Sequence, residues 1–527
     1  MSGKSEERMG GSKKTVDQKF SRREALKLSA LALGGLAVSG SPVRAGSAPE
    51  ATSCTDPGPW YPDTVDNTQT YSYFFGSTMP TFNPIDPTTH TYIPVEPNEM
   101  RITFMGSCIP PVRRSQCMMS VFVEVGNAKG EADSFVFDCG SGVCANYGAM
   151  GIGFSRMNKV FLTHLHGDHM SDLTHIYCFG PSADRKTPLY VWGPSRSGIK
   201  NPTPPPLYYD DGLTDMLKAF RKAWRWHSES FSFLKTTDGN YTPPKGSDWG
   251  LKVPLRPLGG DSRQDGYALV PIELNWRRYG NKLDDNVAYN NPATGVKITH
   301  FPVIHCRQGS IGYKLEWNGM SMIYTGDTRP ETHSVAQASG VDVFIHECVV
   351  PPDVWAFKNM GLSAPPASTD PLYPVYQAAL SQMQEVQESS HTPQGAFGYL
   401  LSQIQPQPKL TVATHFPVSD DTVNCALKSI KEHCPVTMDP TSGNFVFSFD
   451  LMVIKVSPDL AGGLPQQYRA VVADYGYAPF VLPPKTQELK DAKYQTPTMQ
   501  IDKLDQETLI PPVDPNTGDC NYLDDGY

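Results

Sequence analysis

The chain has 527 residues, a length that permits two or three domains or one enlarged α/β domain with insertions. Apolar residues make up 39%, enough for a sizeable core, yet no run approaches the roughly 20 apolar residues that a membrane-spanning helix needs. With 45 basic and 54 acidic side chains the net charge is -9, without the basic excess or dense basic patch that marks nucleic-acid binders, so no nucleic-acid partner is expected.

From the N-terminus, Ser21-Arg22-Arg23-Glu24-Ala25-Leu26-Lys27 precedes a modest apolar stretch, Leu28 to Val38, and Val43-Arg44-Ala45 offers a cleavage site. This resembles a twin-arginine export signal, although Ala25 stands where that pattern prefers Phe. Residues 1–45 are therefore set apart as a leader, and a periplasmic or secreted address is expected. All 11 cysteines follow it, and the odd number leaves at least one unpaired if every disulfide is internal. Cys425 with Cys434, or Cys54 with Cys520, could pair, and the sequence does not decide.

Residues 46–99 are rich in Pro, Thr, Asp and aromatics and read as an irregular wrapping segment. Strands are expected at Met100–Met105, Met118–Val125, Ser134–Phe137, Val160–Leu162 and Leu189–Trp192, several of them largely apolar and so suited to burial. Leu213, Met216, Leu217, Phe220 and Trp224 recur at helical spacing between Asp211 and His227. Residues 201–206 and 237–268, rich in Pro and Gly, read as loops within an insertion spanning about 195–296. Further strands are expected at Lys297–Ile304, Ile311–Trp317, Met320–Tyr324, Val341–Ile345 and Leu410–Ala413, with a final apolar stretch from Phe445 to Val456. Short strands alternating with helices point to a layered α/β catalytic domain over 100–456, followed by a C-terminal extension over 457–527.

Chemistry concentrates in Thr163-His164-Leu165-His166-Gly167-Asp168-His169, where four candidate ligands fall within six positions directly after a strand. Neutral imidazole and carboxylate are good zinc donors, and so many polar groups in one tight loop would be hard to bury without a cation. A second metal needs ligands from elsewhere. His305, Asp327 and His415 each follow an apolar strand, so strand ends recur as ligand positions.

His164-x-His166-x-Asp168-His169 resembles the signature of the metallo-β-lactamase superfamily, and the finer pattern is similar to its ribonuclease Z and arylsulfatase-like branch. Thr103-Phe104-Met105-Gly106-Ser107 resembles the opening strand and turn of that branch, and Phe137-Asp138-Cys139-Gly140 its second motif. His305 followed by Gly312-Tyr313, Tyr324-Thr325-Gly326-Asp327-Thr328-Arg329, His346-Glu347 and Thr414-His415 resemble later motifs in the right order. The resemblance implies an αββα sandwich. It implies one zinc on His164, His166 and His305, another on Asp168, His169 and His415, and Asp327 bridging both; Mn or Fe could replace zinc. His391 matches an extra active-site histidine of the branch, and Glu347 is expected to orient a neighbouring histidine.

The sequence is read first as an exported dinuclear zinc hydrolase that cleaves a small ester (a phosphodiester, a sulfate ester or a lactone-like compound) with a hydroxide shared between the metals. Asp168 would orient that nucleophile, and His391 would protonate the leaving group. The expected partners are a small-molecule ester and the twin-arginine translocase, with no membrane span in the mature protein and a homodimer left open. Two alternatives stand beside this reading. One is a ribonuclease Z-like phosphodiesterase acting on RNA, disfavoured by the acidic balance, the export signal and the lack of a basic Gly-rich arm. The other is a binding protein on the same scaffold.

Overall fold

A computed structural model describes residues 79–472, apart from 112, 114–115, 231–265, 279–285, 419, 459 and 461–462. The leader-like segment, Cys54, Cys520 and most of the proposed C-terminal extension lie outside the described residues. No described helix is long and apolar enough to cross a membrane.

The strands are β1 (Thr81–Phe82), β2 (Glu99–Gly106), β3 (Ser120–Gly126), β4 (Ala132–Phe137), β5 (Lys159–Phe161), β6 (Leu189–Pro194), β7 (Leu269–Leu274), β8 (Val287–Asn291), β9 (Val296–Pro302), β10 (Ile311–Trp317), β11 (Met320–Tyr324), β12 (Val343–Glu347), β13 (Leu410–Thr414), β14 (Phe445–Phe447), β15 (Met452–Val456) and β16 (Gln466–Ala470). They form a nine-stranded sheet, ordered β1-β16-β15-β2-β3-β4-β5-β6-β7, and a seven-stranded sheet, ordered β14-β13-β12-β11-β10-β9-β8. β2, β3, β12 and β13 are buried along their whole length, as expected of central strands covered on both faces.

One apolar cluster lies between the sheets and takes Met100, Ile102, Phe137, Phe161, Tyr313, Met322, Tyr324, Ile345 and Val412 from both of them. Within it Phe161 stacks on Trp192, with ring centroids 4.4 Å apart and planes 4° apart. Two further clusters fill the outer faces. The first packs Tyr147, Leu173, Ile176 and Leu217 against the nine-stranded sheet, and the second packs Phe397, Leu401 and Ile430 against the other. The result is an αββα sandwich, as the motif order implies.

The structure departs from the sequence reading at several elements. The apolar stretch 445–456 is two strands in different sheets, because the chain leaves β14 at Ser448 and turns at Leu451, whose φ is 65°, before entering β15. The nine-stranded sheet runs past Val456 to β16, which also pairs with β1 inside the segment read as irregular. The insertion supplies an edge strand to each sheet, β7 and β8.

Candidate metal centre

The candidate ligands sit where strands end along one rim of the sandwich. β5 leads into the His164–His169 loop, and β9, β11 and β13 lead to His305, Asp327 and His415. β11, β12 and β13 are parallel, and β9 reverses twice through β10 to run the same way, so their carboxyl ends open on a common edge. Two hydrogen bonds tie the sheets together beside the loop: Ile311 N donates to Thr163 O at 3.0 Å, and Tyr313 Oη donates to Leu162 O at 2.8 Å. Gly140 is required beneath the loop, since a Cβ there would run into the carbonyl oxygen of Asp168.

The structure brings all of the sequence-predicted ligand residues together. His164, His166 and His305 form one group, and Asp168, His169, Asp327 and His415 form another, each with its candidate donor atoms within 4.8 Å of one another. Asp327 faces both groups. Its Oδ1 is 3.1 Å from His169 Nε2, and its Oδ2 is 3.5 Å from His415 Nε2 and 3.8 Å from His305 Nε2. His166 is the exposed member, and its Nδ1 lies 3.1 Å from His305 Nε2.

Three imidazoles spend one nitrogen on the protein and turn the other inward. His169 Nδ1 bonds Asp138 Oδ2 at 2.7 Å, His164 Nδ1 meets Thr163 Oγ1 at 3.0 Å, and His305 Nδ1 donates to Ser390 O at 2.8 Å. Such outer partners fix tautomer and ring angle, as is usual for metal-holding histidines. His164 Nε2 is buried with no hydrogen-bond partner, and His169 Nε2 and Asp327 Oδ1 are buried with only each other, an ion pair without hydrogen-bond geometry. Orphaned buried polar atoms are rare, and when they converge from separate strands a cation is the natural partner. The donor set, imidazole and carboxylate without thiolate, fits a pair of divalent metals.

Burial and mutual charge set the protonation of these groups without metal. Burial and the neighbouring imidazoles hold His164 well below its ordinary pKa, so its nitrogen is neutral. Burial opposes ionisation of Asp327, but the imidazoles of His169, His415 and His305 outweigh it and keep the carboxylate charged. Burial likewise opposes charge on His415, yet Asp327, Asp168 and Glu347 raise it to about 9.

His391 follows the helix Tyr373–Ser390 as its C-cap, and its Nδ1 donates to Glu347 Oε2 at 2.8 Å. Glu347 ends β12, is fully buried, and accepts from Thr328 N, one residue past Asp327. With His305 and Asp327, these two residues make a third group of clustered donor atoms. His346 points away and stacks on Phe397 at 5.2 Å, and His175 packs between Phe154 and Phe179.

Asp138, inside the Phe137–Gly140 motif, carries a role that the sequence alone does not assign. Its carboxylate accepts from Thr163 N, Thr163 Oγ1 and Tyr324 Oη at 2.8 Å each, besides holding His169. Asp138 adopts φ 55° at the end of β4, and an acidic residue between an apolar strand and Cys139-Gly140 is the trace it leaves in the sequence. Ser390, which orients His305, acts through a backbone carbonyl and leaves no such trace.

Helices outside two facing sheets, with donor groups gathered at strand ends of both, are the architecture of the metallo-β-lactamase fold with a candidate metal centre at its rim. In sequence the chain is similar to ribonucleases. It is similar to ribonuclease Z of Natronomonas pharaonis, with 25% identity over 275 residues covering 48% of this chain and 76% of that one. It is also similar to ribonuclease BN of Proteus mirabilis, with 26% identity over 270 residues covering 48% and 78%. The solved structure of human tRNase Z, short form, aligns over 67% of this chain and 98% of its own, with a TM-score of 0.38 and 17% identity. No family model matches the chain. These relatives support the metallo-β-lactamase superfamily. They also overturn the expectation of no nucleic-acid partner, because the relatives are ribonucleases. That expectation rested on whole-chain charge, which says little about a local substrate track.

Proposed function

We propose that this protein is a phosphodiesterase that cleaves RNA at a dinuclear zinc centre. The observation that carries the reading is Asp327, buried between two donor groups and within 3.1–3.8 Å of imidazoles from each. The ribonuclease relatives favour RNA over a small ester as the source of the phosphodiester. In this reading His164, His166 and His305 would hold one metal, Asp168, His169 and His415 would hold the other, and Asp327 would serve both. Bound there, two divalent cations supply Lewis acidity, which lowers the pKa of a water and offsets charge on phosphoryl oxygens.

The chain's own groups do the rest. Asp168, whose side chain is 12% exposed, accepts a hydrogen bond from the attacking water and aims it. His391 has given Nδ1 to Glu347, so Nε2 is the atom left to protonate the departing oxygen. Glu347 holds that ring in place. We further propose that residues 1–45 act as a twin-arginine leader. Retention of the Arg22→Lys, Arg23→Lys precursor in the cytoplasm would support it, and unimpaired export would remove it.

The test of the main reading is cleavage of RNA by zinc-loaded protein, run beside a chromogenic small phosphodiester and an aryl sulfate. RNA should be cut, with Asp327→Ala at least ~100-fold slower. Turnover of the small substrates with RNA left intact would overturn the RNA assignment. Turnover by Asp327→Ala at the wild-type rate would overturn the centre itself.

A further inference from the structure

His415 stands in the left-handed region, with φ 56°, directly after β13. A residue with a Cβ pays roughly 1–2 kcal/mol for that conformation, so the surroundings must enforce it. Beyond His415 the chain leaves the sheet, and the peptide groups of residues 416–418 lose ladder partners. They are satisfied instead from a different part of the molecule, the turn after β2. Phe416 N donates to Ser107 O at 3.1 Å. Gln116 Nε2 donates to Phe416 O at 3.1 Å, and Val418 N donates to Gln116 Oε1 at 2.9 Å, so one side-chain amide brackets the segment from both sides.

The amide cannot rotate to exchange its ends. Val418 N only donates and Phe416 O only accepts, which fixes Oε1 and Nε2. The second Nε2 proton goes to Ser107 Oγ at 3.0 Å, and that hydroxyl donates to Asp450 Oδ1 at 2.8 Å. Asp450 is in turn held through Oδ2 by Cys117 N at 2.7 Å and Asn146 Nδ2 at 3.1 Å. Gln116 is 6% exposed, Ser107 0% and Asp450 7%, so the chain of bonds runs with little competition from water.

We infer that Gln116, backed by Ser107 and Asp450, is a positioning residue for His415: it sets the turn that aims this imidazole at one of the two metals. The inference rests on the reading of His415 as a ligand. Gln116 touches neither metal group, and nothing about its place in the sequence marks it.

The experiment is zinc competition with a chromogenic chelator on the full chain, which resolves two binding steps. His415→Ala identifies the step that depends on that imidazole. Gln116→Ala should weaken the same step by about 10–100-fold and leave the other within about twofold. Gln116→Glu keeps the size and the acceptor for Val418 N but sets a carboxylate oxygen against Phe416 O, and should weaken that step at least as much. Should Gln116→Ala not fold, Gln116→Glu alone carries the test through the same selective weakening. Equal affinities in wild type and the Gln116 variants, or equal loss of both steps, would overturn the inference. If His415→Ala binds both zincs as wild type does, the ligand assignment fails first and the inference falls with it, a result distinct from the others.

Discussion

Asp138 shows how much of a metal centre is built by residues that hold no metal. Its carboxylate gathers Thr163, His169 and Tyr324 and so fixes the loop on which three of the imidazoles ride. Asp138→Ala is expected to weaken zinc binding by about 10–100-fold while the protein stays folded, read by chelator competition. A second expectation concerns protons. In the metal-free protein burial opposes charge on His305 and His415, but their carboxylate and thiol neighbours raise both to about 9, so each carries a proton at neutral pH. Burial opposes charge on His169 as well, but Asp327, Asp168 and Asp138 raise it well above its ordinary value too. A cation needs the neutral nitrogen, so loading at pH 7 should release about three protons, and affinity should climb as pH rises. Calorimetry in buffers of different ionisation enthalpy measures that release; none would contradict it. The ligands were legible in the sequence because each follows an apolar strand. Gln116 and the Ser390 carbonyl were not, because a side-chain amide far along the chain and a backbone oxygen carry no local pattern.

Among the elements, the turn between β11 and Asp327 has the least room to change. Gly326 has φ 62°, and a Cβ there would meet Thr163, the residue before His164. Gly326→Ala is expected to destabilise the fold by about 1–3 kcal/mol and to lower zinc affinity at the same time, because it displaces both Asp327 and the histidine loop. Thermal unfolding with and without zinc would show both losses, and an unchanged midpoint would contradict them. Strands whose polar residues fall at alternate positions on the outward face, such as β10 with Lys314 and Glu316 and β11 with Ser321, were read to the residue. β7 was passed over because Pro271 interrupts Leu269–Leu274, which the fold accommodates by placing it at the sheet edge. β8 carries Asn290 and Asn291 and also lies at an edge. The helix Tyr373–Ser390 escaped notice because it buries only Tyr376, Gln387 and Ser390 and so has no apolar stripe.

For the whole molecule, the seven clustered side chains come from strand ends of both sheets, so bound metal should brace the sandwich as well as serve chemistry. A metal present at a hundredfold its Kd contributes about 2.7 kcal/mol per site. Chelation is therefore expected to lower the unfolding midpoint of wild type and to leave Asp327→Ala less affected. Scanning calorimetry with and without a chelator checks this, and an equal response from both proteins would contradict it. At this scale the motif order revealed the sandwich, whereas the charge balance misled about the partner, since a net charge of -9 averages over surfaces that never meet a substrate.

The exchange of sheets between β14 and β15 has a consequence for the birth of the protein. β15 lies between β16 and β2, yet some 350 residues separate it from β2 along the chain. As the polypeptide emerges from the ribosome, one flank of β2 must wait bare until Met452–Val456 arrive. Maturation is thus deferred to the end of synthesis, and a transcript cut short before codon 452 would yield a product with an open, adhesive seam in place of a finished enzyme.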